Sequence, residues 1–469
     1  MPRADILIDY MKNTTTPLGG ICVIDKVEND FGMVSSVFDG IMGPAYIGRL
    51  KLLLNNRLTY ATSVHQILPT VSEETCALLG AKDVAERSLY RTVEKVGLLA
   101  PLIVERYQDF VKAKDLADKD QNIDWSSTFF EGKKAELGAF GYSRDRRPDK
   151  RQITFGIATG INGVPTALTI QNGNVLDKKH FVETYNVVKR IMQKGSLLIF
   201  DCGANTKENK AQIVKDGFGY LTLKPKKVGV YKKYIAIFKS LEKSEIGIGG
   251  NTYITAKVKE GDEFQYIYFS KILLETQILG KNRKFERRKE TGNKLAKKAG
   301  KHKAVEKYPC EKGWVELYPE LQTALGCVEN PYINGIEGFF ILESTVDASP
   351  EDMLRIYKQR DAAEKLVRNM KEGIELRPIR HWSKYAIIGA ILIAFLTESV
   401  ISLTQISCKN PLVKNVKLLK KFLTNLTVTF VYPSGRFRFT IVSNISPPIL
   451  ELLGDFVHRY ETKDLDLRW

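Results

Sequence analysis

The sequence is poor in histidine and cysteine. Its five histidines and six cysteines are scattered through 469 residues, and no Cys-x-x-Cys pair occurs. No histidine lies near a cysteine at the spacing that zinc ligands require. We therefore expect no structural zinc site, and the scattered cysteines favour a reduced, cytoplasmic compartment.

Long apolar runs are also missing. The longest, from Tyr385 to Leu396, has about a dozen residues, whereas a membrane-spanning helix needs about 20. Such a run predicts a helix buried in a protein core. The first residues include Asp5 and Asp9, where a signal peptide needs an unbroken apolar segment. We therefore expect no export and no membrane partner.

Acidic residues are outnumbered by basic ones. The chain has 71 Lys and Arg and only 54 Asp and Glu. Its net charge of +17 favours a polyanionic partner such as nucleic acid. The segment from Lys281 to Lys303 has eleven of these cations and only two glutamates. This density predicts phosphate contacts, for which we select Lys297, Lys298 and Lys301. A solvated helix or loop is the alternative.

Residues 1–115 are predicted to form a helical, DNA-binding domain. A helix-turn-helix is predicted from Ala77 to Val96, in which the second helix turns apolar side chains to a core and presents Arg91 outward. A plain helical bundle without DNA contacts is the alternative.

Residues 116–224 have the pattern of an α/β domain. Residues 121–130 alternate as a half-exposed strand with Asp124 on its polar face. Two strand-type runs joined by Asn162-Gly163 predict a tight hairpin. A helix, a short buried strand ending at Asp201, a capped helix and a last strand follow. This order is typical of a ribonuclease H-like core, a mixed sheet flanked by helices, although other α/β folds begin similarly.

The rest of the chain is predicted in three parts. Residues 225–335 have short aromatic and β-branched runs at 234–238, 252–258 and 264–269, which predict a β-rich basic insertion. Residues 336–425 would complete the catalytic core, with a long helix from Pro350 and an apolar helix from Ser383 to Leu403. Residues 426–469 predict a hairpin and a helix.

Three carboxylates are the candidate catalytic and metal-binding groups. The first and fourth strands of a ribonuclease H-like sheet are neighbours, so Asp124 and Asp201 would approach each other closely. Oxygen ligands of this kind are what Mg²⁺ prefers, and carboxylates can hold two such ions jointly. Glu364, in the long late helix, is the third. Taken singly, each of the three also has an ordinary structural explanation.

The predicted late helix carries a polar row beside its apolar face. At 100° per residue, Tyr357, Arg360, Glu364 and Lys371 fall within a stripe of about 60° that is about 21 Å long. This length suits several successive phosphates of a nucleic acid better than one small substrate.

The row also matches a known family. Its spacing resembles the Y-(2)-R-(3)-E-(6)-K signature of the DDE-class insertion-sequence transposases of bacteria and archaea, the family numbered four and its relatives. Residues 200–205 resemble that family's second-aspartate motif, and residues 376–382 resemble the stretch after its signature helix. The resemblance covers roughly 118–403. Family members often have threonine two residues after the first aspartate, where this chain has Ser126.

The resemblance implies a function for each of these residues. Asp124, Asp201 and Glu364 would hold two Mg²⁺ ions, with Mn²⁺ as a substitute, while Tyr357, Arg360 and Lys371 would bind phosphates of the element's end. It implies cleavage at terminal inverted repeats, cut-and-paste excision and joining of the ends to a target. It further implies double-stranded DNA as partner and a homodimer that pairs the two ends.

Several alternatives stay open. Asp118 and Asp120 are nearby substitutes for Asp124 as the first aspartate. A ribonuclease H-like nuclease that does not join ends is one alternative function, and an inactive or domesticated DNA-binding protein is another. Trp125 and Trp382 are either core side chains or a stacking surface for a flipped base.

Overall fold

The structure is a computed structural model that describes residues 13–299, 330, 332–406, 408–432 and 439–462, without the side chains of residues 289 and 291–299. The chain forms two compact units. Unit 1 comprises Met1–Phe218 and Gln359–Trp469, and unit 2 comprises Gly219–Lys358. Lys301 and the turn predicted at 433–435 lie outside the described residues.

Unit 1 begins with a short strand and seven helices. They are β1 (Thr14–Pro17), α1 (Gly19–Phe31), α2 (Met33–Phe38), α3 (Pro44–Leu58), α4 (Val64–Thr70), α5 (Glu73–Leu78), α6 (Glu86–Leu98) and α7 (Ala100–Ala113). The predicted helical character of this region is confirmed. On α6 the apolar residues Leu89 and Val93 are buried and Arg91 is exposed, as the helix-turn-helix pattern predicts.

The sheet of unit 1 follows. Its elements are β2 (Gln121–Phe129), β3 (Gln152–Thr159), β4 (Pro165–Asn172), α8 (Asp177–Val188), β5 (Leu197–Phe200) and α9 (Lys207–Lys215). The hydrogen-bonded order is β4-β3-β2-β5, in which β2 pairs antiparallel with β3 and parallel with β5. The antiparallel pairing of β3 with β4 confirms the predicted hairpin, although residues 160–164 connect the strands instead of a two-residue turn.

Strand β2 is covered on both faces, so the predicted half-exposed strand is wrong. Trp125 points to α8, where its indole N–H donates to Thr184 Oγ1 at 3.0 Å. Asp124 points to the opposite face because successive strand residues alternate. Both neighbours of β2 in the sheet belong to the same unit, and almost all of its residues are buried. The alternation of polar residues therefore does not mark a solvent-exposed face.

The remainder of unit 1 comes from the end of the chain. It has α13 (Asp361–Arg368), a π-helical turn (Asn369–Gly373), α14 (Lys384–Gln405), α15 (Pro411–Lys414), α16 (Val416–Asn425), β11 (Thr427–Val431), β12 (Phe439–Ser443), α17 (Pro447–Leu453) and a 3₁₀ segment (Gly454–Tyr460). Strands β1, β11 and β12 form a separate antiparallel sheet that joins the two ends of the described chain.

Helix α14 is the central helix of unit 1. Within the described ranges it is the one helix long and apolar enough to span a membrane, yet nearly all of its residues are buried in the unit. It crosses α6 closely, because a Cβ at Gly97 would lie 1.8 Å from the Tyr385 carbonyl oxygen. A Cβ at Gly389 would lie 1.9 Å from the Val93 oxygen. Any side chain at either glycine would force the two helices apart.

Unit 2 has its own layers. It comprises β6 (Gly219–Leu223), α10 (Val228–Ser240), β7 (Ser244–Ile248), β8 (Asn251–Glu260), β9 (Glu263–Phe269), α11 (Lys271–Ala299), β10 (Phe339–Ser344) and α12 (Pro350–Lys358). The strand order is β6-β10-β9-β8-β7, and each of these pairs is antiparallel. The predicted insertion, 225–335, falls within this unit.

The strand predicted at 234–238 is wrong, because those residues belong to α10. Its buried residues are Tyr231, Tyr234, Ile235 and Phe238, which recur at the three- and four-residue spacing of a helix. Aromatic and β-branched content alone favoured a strand, but the spacing decides. Among the described residues of the insertion, two helices therefore accompany the strands, and α11 carries the basic segment as far as Ala299.

The single long helix predicted from Pro350 is also wrong. Helix α12 ends at Lys358, and α13 starts at Asp361, after the chain has passed from unit 2 to unit 1. Basic side chains in the last turn of α12 and acidic ones in the first turn of α13 favour this break, because they match the charges of the helix ends.

Candidate functional site

Two of the predicted carboxylates are carried by neighbouring parallel strands, Asp124 within β2 and Asp201 directly after β5. Strand β2 pairs with β5 so that Asn122 lies opposite Ile199. The paired stretch ends there, two residues before Asp124 on one strand and two residues before Asp201 on the other. The close approach of these two aspartates stays a prediction.

Arg360 joins Asp124 to Glu364. Its Nη1 donates to Asp124 Oδ1 at 3.3 Å, and its Nη2 donates to Glu364 Oε1. Arg360 directly precedes α13, which packs against β2 and β3. The Arg360 and Asp124 side chains are mostly buried, whereas 43% of Glu364 is exposed. One guanidinium thus lies between two carboxylates that are far apart in sequence.

The surroundings of Asp124 disfavour its charged form. Burial raises the pKa of Asp124 to about 6, and the nearby Glu364 carboxylate raises it too. The guanidinium groups of Arg360 and Arg144 act against this rise. Glu364 and two arginines therefore lie within electrostatic range of Asp124.

Asp201 begins a tight turn. Its Oδ1 accepts the backbone N–H of Cys202 at 2.7 Å, at the start of a 3₁₀ turn, Cys202–Ala204. Thr206 then caps α9 by accepting the N–H of Asn209, which confirms the predicted capped helix. Burial and the Asp201 carboxylate raise the pKa of Cys202 to about 11, and Arg360 counteracts this. Arg360 is therefore also close to the turn that Asp201 begins.

Arg144 is a site residue that the sequence analysis missed. It lies in the loop between β2 and β3, and its Nη2 donates to both carboxylate oxygens of Asp177, at 2.7 and 2.5 Å. Its backbone N–H donates to Ser127 Oγ at 3.0 Å, on the strand that carries Asp124. The signal was an arginine-rich run, 144–147, in the segment that connects the strand of a candidate catalytic aspartate to the next strand.

Lys371 lies in a buried cluster of ion pairs. Its Nζ donates to Asp145 Oδ1 at 2.7 Å, and Arg377 Nη1 donates to the same oxygen at 2.8 Å. Burial lowers the pKa of Lys371, and Asp145 acts against this. The predicted exposed row is therefore wrong at this end, because the π-helical turn at 369–373 changes the direction in which Lys371 points. Lys371 can reach a phosphate only by leaving Asp145.

The other predicted DNA-binding residues lie on separate elements. Tyr357 is half-buried on α12 in unit 2. Arg91 is on the exposed face of α6 in unit 1. Lys297 and Lys298 lie in α11, and their side chains are outside the described part of the chain.

The alternatives for the first aspartate have structural contacts. Asp118 Oδ2 accepts the backbone N–H of Asn162, and Asp120 Oδ1 accepts that of Leu197, both at 2.8 Å. Trp125 is buried, which agrees with the alternative that it is a core side chain. Trp382 is exposed.

The carboxylates fit divalent cations by chemistry. Asp124, Asp201 and Glu364 offer only hard oxygen donors, and a cationic group, the Arg360 guanidinium, already lies between two of them. In the described ranges no group of three His, Cys, Asp or Glu side chains is gathered closely enough to hold a metal ion. Joint binding of an ion by all three therefore needs Arg360 to move.

Comparison with known proteins adds a distant similarity to solved structures. No family model matches the sequence, and no curated protein does. Among solved structures the chain is similar to one described as the cryo-EM structure of the piggyBac transposase synaptic complex with hairpin DNA. The TM-score is 0.41 and the identity 11%, over 90% of this chain and 83% of that chain. A similarity at this level establishes neither a shared fold nor a shared activity.

Proposed function

We propose that the protein is a DNA transposase with a ribonuclease H-like catalytic core, which cleaves the terminal inverted repeats of an insertion sequence and joins the ends to a target. The observation that carries this proposal is the meeting of Asp124 and Glu364 at one guanidinium, beside the parallel strand that ends at Asp201. The strand order β4-β3-β2-β5 supports the ribonuclease H-like assignment.

The proposed chemistry is phosphoryl transfer at the carboxylates. Asp124, Asp201 and Glu364 would hold two Mg²⁺ or Mn²⁺ ions. Such ions, when bound, activate the attacking oxygen and stabilise the leaving oxygen of an in-line displacement. With Asp124 and Glu364 engaged in this way, the Arg360 guanidinium would be released from them and would donate to a DNA phosphate. The planar guanidinium suits such a bidentate contact.

Other residues would hold the DNA. Tyr357 would contact the element's end, and Lys371 would do so on exchanging Asp145 for a phosphate. Arg91, Lys297, Lys298 and Lys301 would bind the terminal repeat and its flanks. Two copies of the chain would pair the two ends of the element. The reaction would take place in the cytoplasm, on chromosomal DNA.

A plasmid excision assay tests this function. The full-length protein is incubated with Mg²⁺ and a plasmid that carries its own gene and native flanks, beside two variants. Asp201→Asn removes a proposed metal ligand, and Asp109→Asn changes an exposed carboxylate on α7. We expect the wild type and Asp109→Asn to release the fragment and Asp201→Asn to release none.

The same reaction separates the alternatives. Joining of the released ends to a second plasmid supports transposition, whereas cutting without joining supports a nuclease. Excision by Asp201→Asn at the wild-type rate would refute the catalytic assignment. DNA binding without cutting would favour an inactive DNA-binding protein. The observation that favours this second candidate is that the Arg360 guanidinium already pairs with both Asp124 and Glu364.

A further inference from the structure

The loop between β2 and β3 exposes two large aromatic rings. This loop, residues 130–151, leaves Phe140 63% and Tyr142 76% exposed. Tyr142 is the most exposed large hydrophobic side chain in the described part of the chain. Large rings left in water on a protein surface mark a contact site when they occur together.

The backbone beneath these rings is fixed. Ala139 and Gln152 exchange two backbone hydrogen bonds, at 3.0 and 2.7 Å. Gly141 passes very close to the backbone at Gly173. A Cβ on Gly141 would lie 2.0 Å from the Gly173 carbonyl oxygen. Further along, the buried Asp145 is bound by Lys371 and Arg377. The rings are therefore held outward by a packed loop.

The loop is also basic and adjoins the candidate site. It has seven Lys and Arg against four Asp and Glu. The Arg144 guanidinium lies 5.9 Å from the centre of the Tyr142 ring, and that of Arg151 lies 6.0 Å from the Phe140 ring. Arg144 also lies within electrostatic range of Asp124. Aromatic faces and cations thus alternate along a surface that begins beside the carboxylates.

We propose that Phe140 and Tyr142 form a stacking surface for unpaired DNA bases next to the candidate site. Exposed rings interleaved with cations are the surface that single-stranded nucleic acid requires, because ring faces stack on bases and cations follow the phosphates. In a duplex the base faces are already stacked, so only unpaired nucleotides gain from the rings. The inference rests on the proposed function, in which a cut strand end would supply such nucleotides.

A binding experiment without divalent metal tests this surface apart from cleavage. Two probes are compared, a blunt duplex and the same duplex with an unpaired thymidine tract that contains one 2-aminopurine. The variants are a Phe140→Leu/Tyr142→Leu double, which keeps apolar bulk without rings, and a Phe140→Tyr/Tyr142→Phe double, which keeps both rings. All substitutions are at exposed positions of the full-length protein.

We expect the wild type to bind the tailed duplex at least about fivefold more tightly than the blunt one, and to quench the 2-aminopurine. The leucine double should lose both effects, and the ring-retaining double should keep them. Equal affinity of the wild type for the two probes, or a leucine double that keeps the preference, would overturn the inference. So would a change of the leucine double's oligomeric state, because the rings would then contact protein.

The two proposals fail in different ways. Excision by a protein that does not distinguish the probes keeps the transposase function and removes the stacking surface. A preference for the tailed duplex in a protein that never cuts keeps the surface and removes the catalytic function.

Discussion

Two carboxylate–cation clusters of unit 1 differ in how far water reaches them. In the first, Arg360 bridges Asp124 and Glu364, whose side chains are 19% and 43% exposed. In the second, Asp145 is bound by Lys371 and Arg377, and only 2% of Asp145 and 8% of Lys371 are exposed. The π-helical turn and α13 connect the two clusters along the chain.

The difference in exposure indicates a different role for each of the two clusters. A partly exposed cluster can exchange its guanidinium for another cation at modest cost, because water solvates the groups during the exchange. A buried cluster exchanges partners only at a much higher cost, because removing either charge leaves the other without a partner in a poorly solvated place. We therefore assign the first cluster to function and the second to holding the turn at 369–373 and the β2–β3 loop in place.

The largest expected effect tests the buried cluster. Asp145→Asn should lower the free energy of unfolding by about 3–5 kcal/mol, because Lys371 and Arg377 would lose their shared carboxylate. The midpoint of urea denaturation measures this. Asp149→Asn is the matched control in the same loop, and it should leave the midpoint unchanged because its pair with Arg147 is exposed. Similar midpoints for both variants would remove the distinction between the clusters.

A second prediction concerns the pH dependence that Asp124 causes. The folded-state pKa of about 6 exceeds the ordinary value of 3.8, so between these pH values the folded state binds more protons than the unfolded state. Stability therefore falls as the pH rises through this window, and the full cost of the buried charge is present above pH 6. Asp124→Asn, in the presence of EDTA, should lack this fall.

Denaturation curves of the wild type and Asp124→Asn from pH 4 to pH 8 measure this difference. The variant should gain stability relative to the wild type across the window, by at most about 3 kcal/mol. The exposed-site variant Asp109→Asn should show no such gain. A difference between wild type and Asp124→Asn that does not change with pH would contradict the assignment of a raised pKa to Asp124.

The smallest expected effect distinguishes the two cations of the buried cluster, Lys371 and Arg377. Arg377→Gln should lower the free energy of unfolding by about 1 kcal/mol, because Lys371 still neutralises Asp145 and Arg377 is partly exposed. Lys371→Met should cost more, since Lys371 is the buried partner. Urea denaturation of both variants tests the order, and a larger loss for Arg377→Gln would reverse it.

The sequence was informative where short-range patterns decide structure. The hairpin at Asn162-Gly163, the strand ending at Asp201 and the apolar helix after Ser383 are all found close to their predicted bounds. Turn chemistry, helix caps and apolar runs act over a few residues, so they can be read locally. The strand predicted at 234–238 failed because composition was preferred to spacing.

The sequence by itself determined the residue types of the site and the α/β order that carries Asp124 and Asp201. Only the tertiary structure decided how the polar row from Tyr357 to Lys371 is used. A helix wheel assumes one uninterrupted helix, whereas the chain changes units after Lys358 and forms a π turn at 369–373. Lys371 is consequently buried against Asp145, a partner 226 positions away, and no local pattern could reveal that contact.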